Sequence, residues 1–234
     1  MALKKISIKL QDIYDSKETL VQRKERVNKI IFKLRELYPK AACSLNFMTA
    51  HQIMVAAILA AQCTDERVNK VTPELFAKYP DVYAFANADQ SELEQMVKST
   101  GFFRNKTKNI IESARQIVSD FNGEVPNNMD DLLKLAGIGR KTANLVIGEI
   151  FNKPAVIVDT HVRRVSGRLG LTLSTDPDKI EQDLWKLLPP EKSLSFNHLI
   201  VYHGRAVCKA PNPKCEICEI THLCKYWDKV VKGN

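Results

Sequence analysis

Residues 135–165, LAGIGRKTANLVIGEIFNKPAVIVDTHVRRV, predict two helices joined by a tight glycine turn. One helix over residues 130–135 ends at the turn Ala136-Gly137-Ile138-Gly139, and the next begins at Arg140. Glycine lets a backbone approach other groups closely, and the first N–H groups of a helix have no partner within the helix. The stretch is therefore typical of a hairpin whose amides bind phosphate.

Two charged residues in this stretch could act as catalytic groups in a reaction at a sugar carbon. Lys141 follows the turn, and Asp159 stands eighteen residues later. A lysine attacks carbon only when it is deprotonated, which the adjacent Arg140, the helix N-terminus and partial burial would favour. Asp159 would stabilise a cationic sugar intermediate, or cap the helix from His161, since it follows the extended run Ala155–Val158. Lys141 is thus either a phosphate contact or a nucleophile, and Asp159 a catalytic carboxylate, an N-cap, or both.

Composition and periodicity predict an intracellular, all-α protein. The 234 residues carry a net charge of +8, from 35 Lys+Arg against 27 Asp+Glu, which suits a polyanionic partner or simply a basic soluble protein. No apolar run approaches the roughly 18 residues of a membrane span. Apolar residues recur at intervals of three and four, predicting about ten helices and no sheet of consequence. Residues with N-cap side chains mark several helix starts: Thr49, Asp89, Asn128 and Asp176.

Four cysteines form a candidate metal site with the spacing C-x6-C-x2-C-x5-C. They are Cys208, Cys215, Cys218 and Cys224. In an intracellular chain this spacing favours a metal site over disulfides. The site would hold zinc or an iron–sulfur cluster, and the single C-x2-C pair favours the cluster. The loop KAPNPK between the first two cysteines presents Lys209 and Lys214 to a phosphate backbone. Cys43 and Cys63 are interpreted as small buried residues.

Several motifs occur in a fixed order along the chain: LAAQCTD (59–65), GFFRNK (101–106), NGEVP (122–126), LAGIGRKTAN (135–144), VDTHVRRV (158–165), HGR (203–205) and the four-cysteine loop. In this order, from about Gln22 onward, the chain resembles the endonuclease III family. These proteins are the helix-hairpin-helix DNA glycosylases and AP lyases of base-excision repair. Independent motifs in one order make coincidence a poor explanation.

The resemblance implies a role for individual residues. Lys141 matches the Schiff-base nucleophile that attacks C1′ of the damaged nucleotide, and Asp159 matches its carboxylate partner. Gln62 would fill the space left by the flipped base, and Phe102 lies in the loop that wedges the opposite strand. The four cysteines match the ligands of a [4Fe-4S] cluster. Further DNA contacts are expected at Gly137, Ile138, Gly139, Arg140, Lys209 and Lys214.

The resemblance also implies the architecture and the substrate. It predicts an all-α fold with a six-helix lobe over residues 43–153 and an iron–sulfur cluster lobe from residues 1–42 and 154–234, with DNA in the cleft between them. The expected partner is double-stranded DNA with a damaged base, usually an oxidised pyrimidine, or an abasic site. The lysine predicts strand nicking by β-elimination as well as base release. The protein is expected to be a cytoplasmic, nucleoid-associated monomer of a bacterium or archaeon, without a membrane partner.

Departures from the family pattern leave alternatives open. The hairpin reads Leu135-Ala136-Gly137 where the family commonly has Leu-Pro-Gly, which predicts a slightly looser turn. Mismatch thymine glycosylases are similar but usually place another residue at position 141. Two other classes of protein are also considered. One is a DNA-binding module with structural zinc and no catalysis, and the other is a redox sensor whose cluster controls its affinity for DNA. Side chains given minor roles are His161, His198 and His203, interpreted as structural, and Lys106 and Lys108, interpreted as solvated or touching phosphate.

Overall fold

The computed structural model describes residues 10–14 and 17–231, and none of these residues lies in a β-strand. This confirms the predicted all-α class. Twelve α-helices occur in the described ranges, two more than predicted: α1 Leu10–Ile13, α2 Leu20–Leu37, α3 Ala50–Leu59, α4 Asp65–Lys78, α5 Val82–Ala86, α6 Gln90–Val97, α7 Phe103–Asp120, α8 Met129–Leu132, α9 Arg140–Glu149, α10 Thr160–Leu169, α11 Pro177–Trp185 and α12 Ser193–Ala206. Within these ranges, no helix is long and apolar enough to cross a membrane.

The predicted N-caps are confirmed. The side chains of Thr49, Asp89, Asn128 and Asp176 each accept a hydrogen bond from the backbone N–H three residues later. Each such cap satisfies an amide that the helix itself cannot, and stabilises its helix by about 1 kcal/mol. Local sequence thus fixes where these four helices begin.

The chain divides into two compact units. The first, the hairpin unit, comprises residues 43–153 and contains the seven helices α3 to α9 where six were expected. Two of the seven are short, with five residues in α5 and four in α8. Helix α7 packs against α3, α5 and α6. The core of this unit contains these fully buried side chains, which come from α3 to α7 and α9: Ile53, Leu59, Val68, Leu75, Phe85, Leu93, Ile110, Ile117 and Val146.

The second unit, the cysteine unit, comprises residues 1–42 and 154–234. Helix α12 packs against α10 and α2. Its core contains these buried residues: Val27, Ile30, Leu34, Val165, Ile180, Leu184, Phe196 and Ile200. Three of the candidate metal ligands, Cys208, Cys218 and Cys224, pack against this core. The cysteine loop is therefore built onto the helices rather than loosely attached to them.

A charged cluster joins the start of α2 to the rest of the cysteine unit. The Glu18 carboxylate accepts two bonds from Arg26, at 2.6 and 2.8 Å, and one from Arg23 Nε at 3.2 Å. The remaining nitrogen of Arg26 donates to Leu169 O at 2.7 Å and to Leu223 O at 3.0 Å. The Glu18 and Arg26 side chains are only 8% and 10% exposed. Burial raises the pKa of Glu18, but the bonds from Arg26 and Arg23 outweigh it, so that the pKa is lowered on balance.

Glu18→Gln is expected to lower the free energy of unfolding at pH 7 by about 2–3 kcal/mol, because the arginines lose a buried counter-charge. A lowered carboxylate pKa stabilises the fold above the unfolded value, about 4.3, and this stabilisation is lost as the pH falls through the folded value. The gap between the variant and the parent protein should therefore close in acid. Urea unfolding at pH 7 and at pH 3 measures it. Glu25→Gln, an exposed change in α2, is the control, and an equal midpoint for Glu18→Gln at pH 7 would contradict the prediction.

Candidate active site

The hairpin has the tight turn that its glycines predict. Gly137 has φ +74°, and a Cβ there would lie 2.7 Å from Asn109 Cβ, so the position needs glycine for two reasons. Ile138 points inward and is 6% exposed, whereas Gly137, Gly139 and Arg140 are exposed. The first helix of the hairpin is shorter than predicted, since α8 ends at Leu132 and the chain continues to Leu135 in i to i+3 turns. The exposed backbone of the turn leads directly into α9.

Ala136 adds a bond that the family's usual proline could not make. Its N–H donates to Gln116 Oε1 of α7 at 2.8 Å. Proline has no N–H, so the alanine fastens the turn to α7. The expected loosening of the turn is therefore offset by a hydrogen bond to a helix outside the hairpin.

Lys141 is the second residue of α9 and is exposed. Of the three features that would favour a nucleophilic lysine, the structure shows the adjacent Arg140 and the helix N-terminus but not partial burial. The helix begins at the N-cap Gly139, which makes no side-chain bond to the first turn, and first-turn amides have no acceptor within a helix. The ammonium therefore stands beside a group of N–H donors, where an anion would be stabilised.

Cys43 is a thiol close to Lys141 in the hairpin unit. Burial raises its pKa to about 11, and the carboxylates of Glu149 and Asp65 raise it further, against the opposing effects of the Leu45 amide and the Lys141 ammonium. Cys43 is half-buried rather than buried as predicted. At neutral pH it stays a thiol, and because the thiolate is the nucleophilic form, Cys43 is a poor nucleophile.

Asp159 is the N-cap of α10. Its Oδ1 accepts a hydrogen bond from Val162 N at 2.7 Å, and its own backbone is extended, which confirms the capping interpretation. The side chain is half-buried, so the carboxylate remains accessible in part. Lys141 belongs to the hairpin unit and Asp159 to the cysteine unit.

Gln62 and Phe102 have left-handed backbones and exposed side chains. Their φ angles are +53° and +48°, and Phe102 is 66% exposed. The other non-glycine residues with positive φ in the described ranges are both asparagines, which adopt this conformation more readily. Left-handed backbone at a glutamine and a phenylalanine costs of order 1 kcal/mol or more and concentrates at functional positions. No glycine or asparagine signalled it in the sequence.

The interpretation of Lys106 as a solvated or phosphate-contacting lysine is wrong. Its side chain is 4% exposed, and Nζ donates to Leu59 O at 2.8 Å and to Thr100 O at 2.7 Å. Burial lowers its pKa, and the nearby Cys63 thiol opposes that shift. Cys63 itself is half-buried, another departure from the prediction. Lys108, in contrast, is exposed as expected.

The four C-terminal cysteines line one cavity of about 390 Å³, counted with its opening to solvent. Its other walls come from α10, α12 and the segment after the cysteine loop, including Arg168, His203 and Trp227. Among the residues that the structure describes, no three Cys, His, Asp or Glu side chains lie close enough to share a single metal ion. The thiols surround a space instead of converging on a point.

Polar groups face these sulfurs. Arg168 Nη1 donates to Cys208 Sγ at 3.3 Å, and His203 Nε2 lies 3.7 Å from Cys218 Sγ. Burial, first of all, and the neighbouring cysteines raise the pKa values of Cys215, Cys218 and Cys224 to about 11. The thiols would therefore release protons on binding a metal. The donor set fits an anionic, thiolate-ligated group.

Two arginines of α10 hold the basic loop between Cys208 and Cys215. Arg168 donates to Lys209 O at 2.7 Å and to Ala210 O at 2.9 Å, and Arg164 donates to Cys208 O at 3.1 Å. Lys209 and Lys214 are exposed. The arginines therefore fix the loop backbone while both lysines face solvent. Sequence reasoning did not single out either arginine.

His203 and His161 make structural contacts of the kind expected of them. His203 is 2% exposed, burial lowers its pKa to about 4, and its Nδ1 lies 3.3 Å from the Tyr38 hydroxyl. It is therefore a neutral ring at pH 7. His161 Nδ1 lies 3.1 Å from Arg164 Nη2 and packs against Gly204.

Residues 55–190 match the family model described as HhH-GPD superfamily base excision DNA repair protein. Endonuclease III of Synechocystis sp. is 54% identical over 206 residues, covering 88% of this chain and 94% of that protein. Endonuclease III of Bacillus subtilis is 41% identical, covering 84% and 90%. The chain therefore belongs to the endonuclease III family of the HhH-GPD superfamily.

A solved structure of a trapped endonuclease III–DNA covalent intermediate has the same fold. It superposes with a TM-score of 0.83 at 39% sequence identity, covering 89% of this chain and 98% of that one. The match extends over both units. The resemblance inferred from the motifs is thereby confirmed.

Proposed function

We propose that this chain is a bifunctional DNA glycosylase and AP lyase that removes damaged pyrimidines from duplex DNA, with Lys141 as its nucleophile. The single observation that carries the assignment is an exposed lysine in the first turn of α9, directly behind the glycine hairpin. A relative 39% identical to this chain has been trapped covalently on DNA. An amine can form such a covalent intermediate at a sugar carbon.

Two exposed elements would bind the DNA backbone. The turn at Gly137, Ile138 and Gly139 presents amides beside Arg140, and amides at a helix N-terminus bind phosphate without reading bases. Lys209 and Lys214 would contact phosphate from the rigid loop that Arg168 holds. Such contacts position a duplex and leave the choice of lesion to the base pocket.

The damaged nucleotide must leave the helix before its sugar can be attacked. Flipping costs a few kcal/mol, and least for a lesion that already stacks poorly. Gln62 would occupy the space left by the base, and Phe102 would wedge between bases of the opposite strand. Their exposed side chains on fixed, left-handed backbones support these roles.

The chemistry follows from a neutral Lys141 amine. Its nitrogen attacks C1′ while the bond from C1′ to the base breaks, and the base leaves with a proton. One nitrogen proton goes to the departing base, and the other passes to O4′ as the sugar ring opens to an imine. Loss of a proton from C2′ then expels the 3′ phosphate and nicks the strand, and water finally hydrolyses the imine to free the lysine. Because a carboxylate-activated water forms no imine, nicking is specific to the amine.

Asp159 would supply the carboxylate for this reaction. It would accept protons and stabilise positive charge on the sugar. The bond from Val162 N–H supports this role because it fixes the orientation of the carboxylate. The same residue would then serve both as N-cap and as catalytic partner.

Cys208, Cys215, Cys218 and Cys224 would hold the [4Fe-4S] cluster of this family. The shared cavity and the bonds from Arg168 and toward His203 support this assignment. Bound there, the cluster would cross-link the C-terminal segment to Cys208, just after α12, and so shape the basic loop. The cysteine unit is then a DNA-binding lobe, and the hairpin unit supplies the nucleophile.

Borohydride trapping tests the proposal. The purified protein is incubated with a duplex that carries one thymine glycol, and separately with one abasic site, and the imine is reduced. A covalent protein–DNA adduct on both duplexes is the expected result. If neither duplex gives an adduct or a nick, the lyase assignment fails.

A further inference from the structure

Lys106 connects the two loops that carry Gln62 and Phe102. Nζ bonds Leu59 O, on the last residue of α3, and Thr100 O, at the end of the turn Lys98–Thr100. The first carbonyl stands three residues before Gln62, and the second stands two residues before Phe102. One buried ammonium therefore connects the backbone just before Gln62 to the backbone just before Phe102.

The last turn of a helix leaves carbonyl groups without donors within the helix, and a buried carbonyl without a hydrogen bond costs free energy. Lys106 can donate to both carbonyls at once, because an ammonium has three N–H donors. Removing it would leave two carbonyls competing for other donors and would let the loops move independently. The left-handed backbones at Gln62 and Phe102 persist only where their surroundings hold them.

We infer that Lys106 is a positioning residue that sets the distance between Gln62 and Phe102, and thereby controls insertion of both side chains into damaged DNA. The inference rests on the proposed function, which places those side chains in the duplex. Lys106 itself is buried and does not contact DNA or the reacting atoms. Its effect on catalysis is transmitted only through the two loops.

A double-mutant cycle separates positioning from a general structural role. Lys106→Met is made in the parent protein and in the Gln62→Ala/Phe102→Ala double variant. Base release from a thymine glycol duplex is measured in single turnover with saturating protein, so that affinity does not enter. Fluorescence of 2-aminopurine opposite the lesion reports unstacking of that base. Lys98→Met, which removes an exposed lysine at the start of the same turn, is the matched control.

Lys106→Met should slow base release by about tenfold to a hundredfold, the range expected when reacting groups are displaced by about 1 Å. It should also weaken the 2-aminopurine signal. In the Gln62→Ala/Phe102→Ala background the same change should cost less than about twofold, because the groups it positions are already gone. Lys98→Met should behave as the parent protein does.

A loss of rate that is the same in both backgrounds, or no loss at all beside an active parent protein, overturns the inference. Absence of base release by the parent protein contradicts the proposed function instead. If Lys106→Met does not fold, Lys106→Gln replaces it, since the shorter amide cannot donate to both carbonyls in the same way. The same dependence on background is then expected, and an equal loss in both backgrounds again overturns the inference.

Discussion

Lys141→Gln is expected to abolish both the borohydride-trapped adduct and strand nicking at an abasic site. Glutamine has nearly the size of lysine but its amide is not a nucleophile, so no imine can form. Loss of a covalent nucleophile lowers turnover by about three orders of magnitude or more. Slow base release can persist where a carboxylate activates water, and it would leave intact abasic sites. Nicking and base release should therefore separate in this variant.

Lys134→Gln is the matched control, because it removes the same charge from the same hairpin. Lys134 is 69% exposed and pairs with Asp131 at 2.7 Å, away from the first turn of α9. It should give the adduct at the parental rate. Fluorescence anisotropy at fixed salt should show that Lys141→Gln still binds an abasic duplex, since one phosphate contact at most is lost. Nicking by Lys141→Gln at the parental rate would assign the nucleophile to another residue.

Features that depend on neighbouring residues in the sequence could be predicted. Asp159 was recognised as an N-cap because an extended run precedes it and a helix follows it. The glycine turn is predictable because two glycines stand directly before the start of a helix, and the structure gives Gly137 the positive φ that favours glycine. These structures are set within a few residues of chain, where capping and turn chemistry act.

Features set by contacts between distant segments could not be predicted. Lys106 is buried because Leu59 O, 47 residues away in the sequence, needs a donor, and no local pattern reports that need. Arg168 likewise meets the cysteine loop across 41 residues. The effect of Ala136 on the turn likewise depends on Gln116, which lies on another helix and accepts a hydrogen bond from the Ala136 N–H. Tertiary packing therefore decides whether a given lysine or arginine is exposed or buried.

Cys224→Ser is expected to yield a protein without iron and with a markedly lower melting temperature. Cys224 packs against the core of the cysteine unit and faces the same cavity as the other three thiols. Losing one of four ligands should release the cluster, and with it the link between the C-terminal segment and Cys208, just after α12. A loss of about 3 kcal/mol corresponds to about 10 °C for a chain of this size. Iron and sulfide content, visible absorbance and thermal unfolding measure these effects.

DNA binding should fall in the same variant, because the basic loop is anchored at Cys208. The loop that carries Lys209 and Lys214 runs between two of the proposed ligands, Cys208 and Cys215, so release of the cluster would remove the attachment at both of its ends and leave it held less firmly by the bonds from Arg168. Two lost phosphate contacts would reduce the slope of log affinity against log salt by about 2. Cys63→Ser is the control and should retain iron, since Cys63 lies in the hairpin unit. An iron-free Cys224→Ser protein with parental stability and salt dependence would contradict the structural role, whereas a colourless parent protein with one zinc would indicate the zinc-binding alternative.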